Sequence, residues 1–197
     1  MNEILSPSGK TYLDWDGLIE RMRSVKLLAC DVDGVLTDDT IFFGPDGLEL
    51  KQFNVSDGFY ISLAMRVGLE FVVISGRHSE ATTSRMKDLG VKHVIQAPLN
   101  KATLLEPVLE ELKLDFADVA FIGNEILDLP LARKAGLPIG VLDSSTLYID
   151  EVDYITSSPG GHGAVKEIIE AYFIAHNINP ELVQRERSEA NAKQESR

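Results

Sequence analysis

A single cysteine, Cys30, stands in this chain of 197 residues. That excludes an intramolecular disulfide and any zinc site built on several thiolates. Aromatic residues make up only 7%, with Trp15 the lone tryptophan. No apolar run approaches the roughly 20 residues needed to cross a bilayer, so a transmembrane reading is excluded. Residues 1–16 mix Glu3, Lys10, Asp14 and Asp16 with isolated apolar side chains. They lack the basic start and continuous apolar stretch of a secretory signal, and the expected location is the cytoplasm. Positive charge is also scarce: 19 Lys and Arg face 31 Asp and Glu, a formal charge of −12. Such a field repels nucleic acid and anionic membrane, and no basic stripe reverses it. An anionic metabolite meets the same repulsion, so a site for one must concentrate a cation, lysine or arginine locally.

What is present is the balance of a soluble globular domain, 44% hydrophobic and 25% charged. Residues 15–24 read as a short helix with Asp14 as N-cap. The apolar run 25–30 reads as a buried strand that ends abruptly in Asp31-Val-Asp-Gly34. Around the turn signal Gly44-Pro-Asp-Gly47, residues 41–55 form an expected projecting β-hairpin. Strand–helix units follow: helix 57–67, strand 70–74, helix 79–89, strand 93–96 and helix 101–113. Pro107 predicts a kink or a late start in the last of these. Strand 119–122, helix 128–135, strand 138–141, a short strand at 154–155 and an amphipathic helix 163–175 complete the pattern. This alternation predicts an α/β doubly wound fold on a parallel sheet. Residues 1–178 make one domain, and 179–197 a polar tail, solvated unless a partner orders it.

Polar clusters sit at the ends of successive strands, the edge where ligands bind in open α/β sheets. Asp31 and Asp33, one residue apart, can divide nucleophile and acid/base roles or hold a divalent cation; a turn or helix cap is the plainer use of such acids. Ser75-Gly-Arg77 offers a hydroxyl, a close backbone approach and a helix start, parts of a phosphate cradle or of an ordinary N-cap. Lys101 begins a helix, where its charge opposes the dipole; an anionic partner would explain it, as would plain exposure. In Gly123-Asn-Glu-Ile-Leu-Asp128, amide and carboxylate oxygens can complete a metal shell or cap a helix. Together the clusters point to phosphoryl transfer.

In this order the clusters resemble the haloacid dehalogenase superfamily of aspartate-nucleophile phosphatases. The segments 31–38, Phe53-Asn-Val-Ser-Asp-Gly58, Ile74-Ser-Gly-Arg77, Asn100-Lys101 and Gly160-Gly-His-Gly-Ala-Val-Lys166, with the hairpin, resemble its 3-deoxy-D-manno-octulosonate 8-phosphate phosphatase subgroup. The resemblance spans about residues 25–175 and implies no large cap domain. It implies Asp31 as nucleophile, Asp33 as acid/base, and Mg2+ held by Asp31, the carbonyl of Asp33 and Asn124. Ser75, Gly76 and Lys101 would bind the phosphoryl group, with Asp128 orienting Lys101. Arg77 and Lys51 are candidates for the sugar carboxylate or the phosphate. The implied substrate is a small sugar-acid phosphate, with no nucleic-acid or membrane partner. The implied assembly is a homotetramer built by the hairpin, in which a neighbour's surface and tail close each site. Ile41, Phe42 and Phe43 favour such an interface. Arg185, Arg187 and Arg197 would either cover a neighbouring site or end in solvent, and His162 reads as a surface loop residue where the subgroup often has arginine.

One departure stands out. Where the subgroup usually has Gly-Asp-Asp, this chain has Gly123-Asn-Glu125. Asn124 brings no charge, so metal affinity falls unless Glu125 compensates, and another nine-carbon or octulosonate sugar phosphate becomes an alternative substrate. A weakened, non-enzymatic binding or regulatory subunit is the second reading. A receiver domain is the third, though receivers carry the phosphoacceptor on a middle strand.

Overall fold

The computed structural model describes residues 9–186. In chain order its elements are α1 (Trp15–Met22), β1 (Leu27–Cys30), β2 (Phe42–Phe43), β3 (Glu49–Leu50), α2 (Val55–Arg66) and β4 (Glu70–Ser75). Then come α3 (Glu80–Leu89), β5 (His93–Gln96), α4 (Lys101–Leu112), β6 (Val119–Gly123) and α5 (Leu129–Ala132). The chain continues through β7 (Leu137–Gly140), α6 (Thr146–Ile149), β8 (Tyr154–Ile155) and α7 (Ala164–Ala175). Six strands form one sheet in the order β5-β4-β1-β6-β7-β8, every neighbouring pair parallel. β2 and β3 form a separate antiparallel hairpin. The expected α/β doubly wound fold is present.

The period of two along the strands divides the core between the sheet's faces. Leu28 and Cys30, with Val73 and Ile122, pack beneath α1, α2 and α7. Leu27 and Ala29, with Val72, Ile74 and Phe121, pack against α4 and α5. β1 is buried on both faces, which is why it reads as an unbroken apolar run. From β1 the chain moves outward through β4 and β5, then returns past β1 to β6. The strand order therefore reverses beside β1, and the carboxyl ends of β1, β4 and β6 open on that switch point.

Several boundaries differ from expectation for local reasons. β1 starts two residues later than the apolar run, because Val25 is still in the turn leaving α1. α2 begins at Val55, two residues early, because the Asn54 side chain accepts the N–H groups of Ser56 and Asp57. Asp57 is thereby buried and caps another helix, accepting the Lys166 N–H at 2.7 Å and the Gly163 N–H at 3.3 Å at the start of α7. Pro107 sits inside α4, which starts at Lys101 without delay. Thr103, whose carbonyl the proline leaves without its helical donor, and Pro107 itself are both exposed to water. The helix expected over 128–135 is a 3₁₀ turn, Ile126–Asp128, followed by the single turn of α5. Short α6 carries no sequence periodicity and is an addition. The hairpin is shorter than 41–55: strand pairing is confined to β2 and β3, across a turn with Asp46 and Gly47 at positive φ. Residues 180–186 of the expected polar tail are helical, and Val183 packs on the core. Arg187 and Arg197 lie outside the described residues.

Candidate active site

Asp31 is the first residue beyond β1, its amide still bonded to the Ile122 carbonyl at 3.0 Å. The chain then turns sharply, with Gly34 at φ +80°. A Cβ at this position would lie 2.0 Å from Asn124 Nδ2, so glycine lets the β1 loop close against the end of β6. Lys101 enters from the start of α4, which Asn100 caps. The lysine is 2% exposed. Its ammonium lies 2.6 Å from Asp31 Oδ1 and 2.5 Å from Asp128 Oδ1. Asp128 is fully buried, and its second oxygen accepts the N–H groups of Asn124 at 2.8 Å and Glu125 at 3.1 Å. The cation that opposes the helix dipole is thus held by two carboxylates, an attraction that outweighs the dipole at this distance.

Electrostatics follow from that burial. Desolvation pushes the Asp31 carboxyl up to about 7, the Asp128 charge adds to the rise, and Lys101 opposes both. Burial disfavours the Lys101 ammonium, yet Asp31 and Asp128 more than offset it and hold the group above its ordinary value. With Asp31 and Asp128 both ionised, two carboxylates around one ammonium leave an uncompensated negative charge, so a further cation would favour the ionised form of Asp31.

The donor set fits an oxygen-ligated divalent cation. Asn124 is 7% exposed, and its Oδ1 is shielded from water without a hydrogen-bond partner. Such an orphan acceptor costs about 1–3 kcal/mol, a penalty that coordination removes. Asp31, Asp33 and Asn124 line the same cleft of about 310 Å³. No group of three or more acidic, histidine or cysteine side chains forms a metal cage among the described residues. The candidate set is mixed instead: carboxylate, amide oxygen and the carbonyl of Asp33, all hard ligands suited to Mg2+.

Ser75 ends β4 beside this group. Its hydroxyl accepts the Arg77 N–H at 3.2 Å and donates to the Arg77 carbonyl at 3.0 Å, folding the Gly76 loop tightly. Ser75, Gly76 and Arg77 all line the cleft with Asp31 and Lys101. Glu125 is exposed on the rim, where its carboxylate accepts the Ile126 N–H at 3.1 Å. Lys51 does not line the cleft. Its side chain is wholly buried and its ammonium lies 2.5 Å from Asp33, so it supports that carboxylate from behind. The Arg77 guanidinium is gripped by Glu49 through two bonds of 2.7 Å. His162 is exposed in its glycine loop, Nδ1 2.7 Å from the Gly160 carbonyl, and faces a different depression.

The structure brings the expected Asp31, Asp33, Ser75, Gly76, Arg77, Lys101 and Asn124 to one cleft, but not Lys51. Asp39 and Leu127 line it without having been expected, and some supporting residues were missed. Glu49 was legible in the alternation Leu48-Glu-Leu-Lys51, which puts Glu49 and Lys51 on one face of the hairpin. Tyr148 had no such signal: it is fully buried, its hydroxyl donating to the Ile139 carbonyl at 3.3 Å and packing with Asp128 against Gly123, where a Cβ would lie 2.7 Å from each.

Comparison with known proteins gives a consistent result. No family model matches the chain. The chain is 37% identical over 158 residues to the 3-deoxy-D-manno-octulosonate 8-phosphate phosphatase KdsC of Escherichia coli K12, covering 80% of this chain and 84% of that protein. It is similar to the Moraxella catarrhalis 3-deoxy-D-manno-octulosonate 8-phosphate phosphatase in complex with magnesium, phosphate and a KDO molecule. There the TM-score is 0.77 at 35% identity, over 80% of this chain and 91% of that one. The cobalt-bound form of the Haemophilus influenzae phosphatase matches with a TM-score of 0.76 at 30% identity, over 80% and 92% of the two chains.

Proposed function

The chain belongs to the 3-deoxy-D-manno-octulosonate 8-phosphate phosphatase family of the haloacid dehalogenase superfamily, phosphoric monoester hydrolases, and on that premise we propose that it hydrolyses a sugar-acid phosphate with Mg2+. The substrate is 3-deoxy-D-manno-octulosonate 8-phosphate, which places the reaction in lipopolysaccharide biosynthesis in the cytoplasm. The observation that carries this reading is the buried line Asp31–Lys101–Asp128 at the sheet's switch point.

The chemistry follows from the residues in place. A carboxylate oxygen of Asp31 attacks phosphorus, and the bond from phosphorus to the sugar oxygen breaks. Asp33 gives its proton to the departing oxygen, leaving an aspartyl-phosphate on Asp31. Asp33, now ionised, removes a proton from water that attacks the same phosphorus, which frees Asp31 and inorganic phosphate. Lys101, and the Ser75 hydroxyl once it turns from the Arg77 carbonyl, hold the transferring group's oxygens in line, and alignment with charge neutralisation is most of what phosphoryl transfer needs. Asp128 fixes the Lys101 ammonium. A bound Mg2+, held by Asp31, Asn124 and the Asp33 carbonyl, supplies further neutralisation of phosphate charge. The working form is a homotetramer in which the hairpin meets neighbouring copies.

A phosphate-release assay with 3-deoxy-D-manno-octulosonate 8-phosphate, nine-carbon sugar-acid phosphates and hexose phosphates tests the proposal. Strong preference for the octulosonate ester is expected, with turnover abolished by EDTA and by Asp31→Asn. Turnover that survives both treatments overturns the mechanism, and equal rates across the panel overturn the substrate.

A further inference from the structure

The hairpin strand β3 presents two faces of opposite character. Leu48 and Leu50 are each 53% exposed on the outer side. Glu49 and the following Lys51, two residues apart in extended chain, point inward to charged partners on the cleft. Glu49 takes both terminal nitrogens of Arg77 at 2.7 Å and also accepts the Ser79 hydroxyl at 2.7 Å. Ser79 is itself buried and anchored, its amide donating to Gln96 Oε1 at 2.8 Å and its hydroxyl capping α3. The carboxylate is therefore a fixed point tied to the sheet, and the guanidinium is oriented by it end-on. End-on pairing leaves the Nε edge of Arg77 free, and Nε is shielded from water with no partner. A buried donor beside a cleft, unsatisfied within the protein, is completed by an acceptor that a ligand brings.

From this geometry we propose that Glu49 is a positioning residue: it aims Arg77 so that the guanidinium's Nε edge receives the carboxylate of the sugar-acid substrate. The inference rests on the functional reading above, and it assigns the selection of carboxylate-bearing substrates to the hairpin. Planar, bidentate recognition is what arginine offers a carboxylate, but only when the plane is fixed. Glu49→Gln keeps the shape and removes the charge that fixes it.

The test is steady-state kinetics of the full chain on 3-deoxy-D-manno-octulosonate 8-phosphate and on p-nitrophenyl phosphate, which has no carboxylate. For Glu49→Gln the loss of kcat/KM on the sugar acid exceeds the loss on p-nitrophenyl phosphate about tenfold, and the excess lies in KM. Arg77→Ala shows the same selective loss, and Glu49→Gln added to Arg77→Ala brings no further selective loss, since Glu49 acts through Arg77. Equal losses on both substrates, or additive losses in the double variant, overturn the inference alone. A wild-type chain that prefers p-nitrophenyl phosphate overturns the functional reading, and this inference with it.

Discussion

At the scale of single residues, the candidate metal site turns on Asn124, an amide among carboxylates. Its buried Oδ1 has no donor, which is what the proposed ligand role requires, although the amide brings no charge. Ligand charge count tunes the affinity of oxygen sites for divalent cations over orders of magnitude. Asn124→Asp keeps the oxygen and adds the charge, so the Mg2+ concentration giving half-maximal activity is expected to fall about tenfold. Metal titration of the phosphatase activity checks this, and an unchanged midpoint removes Asn124 from the ligand set. Glu125 does not substitute for the missing charge from within the shell: it is exposed, and its carboxylate is turned to the Ile126 N–H. Asp31, Asp33, Ser75, Lys101 and Asp128 were legible because each follows an apolar strand or opens a helix, and topology brings those ends together. The partner of Lys51 was not legible, since nothing local says that a lysine on a hairpin folds back onto an acid 18 positions earlier.

Among the elements, the hairpin does the most to shape the site while lying outside the sheet. Lys51 fastens it to Asp33 with a wholly buried side chain. Lys51→Met retains the length and removes the charge that orients Asp33. Misplacement of a catalytic group by an ångström can cost on the order of a hundredfold in rate. The expected result is a fall in kcat of at least about tenfold with a smaller change in KM, measured on the sugar-acid phosphate. The second fastening titrates. The Arg77 hydrogen bonds, against a smaller opposing effect of burial, hold the Glu49 carboxyl down at about 2. A folded-state value below the unfolded one means stability that is fully present above the unfolded value, near 4.3, and lost as pH falls toward 2. The difference in melting temperature between wild type and Glu49→Gln is therefore expected to stay constant from pH 8 to 5 and to shrink below pH 4. Thermal melts across that range check it; a gap that persists at pH 2.5 would show the pair is not the source. The hairpin's existence was legible in Gly44-Pro-Asp-Gly47, but its pairing is shorter than the apolar flanks suggested. Phe42 and Phe43 remain unburied by their own chain, so the local apolar pattern marked an exposed arm rather than a buried pair of strands.

For the whole molecule the deciding quantities are a charge of −12 and an apolar arm. Phe43 is 73% exposed and Phe42 55%, with Leu48 and Leu50 beside them. An apolar group of this kind on a small domain marks a contact surface. Copies carrying the same net charge repel, so the proposed association through the hairpin would come from burial of these side chains, working against electrostatics rather than through it. That opposition sets the sign of the salt effect. Raising ionic strength from about 0.01 M to 0.15 M shortens the screening length from about 30 Å to 8 Å and weakens the repulsion while leaving apolar burial intact. Sedimentation velocity is therefore expected to show the tetramer gaining population as salt rises, and Phe42→Ser with Phe43→Ser is expected to yield smaller species at every salt concentration. An interface held by ion pairs gives the reverse, dissociation on adding salt, and a double serine variant that remains tetrameric moves the contact off the hairpin. Because Glu49 and Lys51 lie on the inner face of the same strand, loss of the outer contact should also reach the cleft. The double variant's KM for the sugar acid is expected to rise even where its melting temperature does not fall.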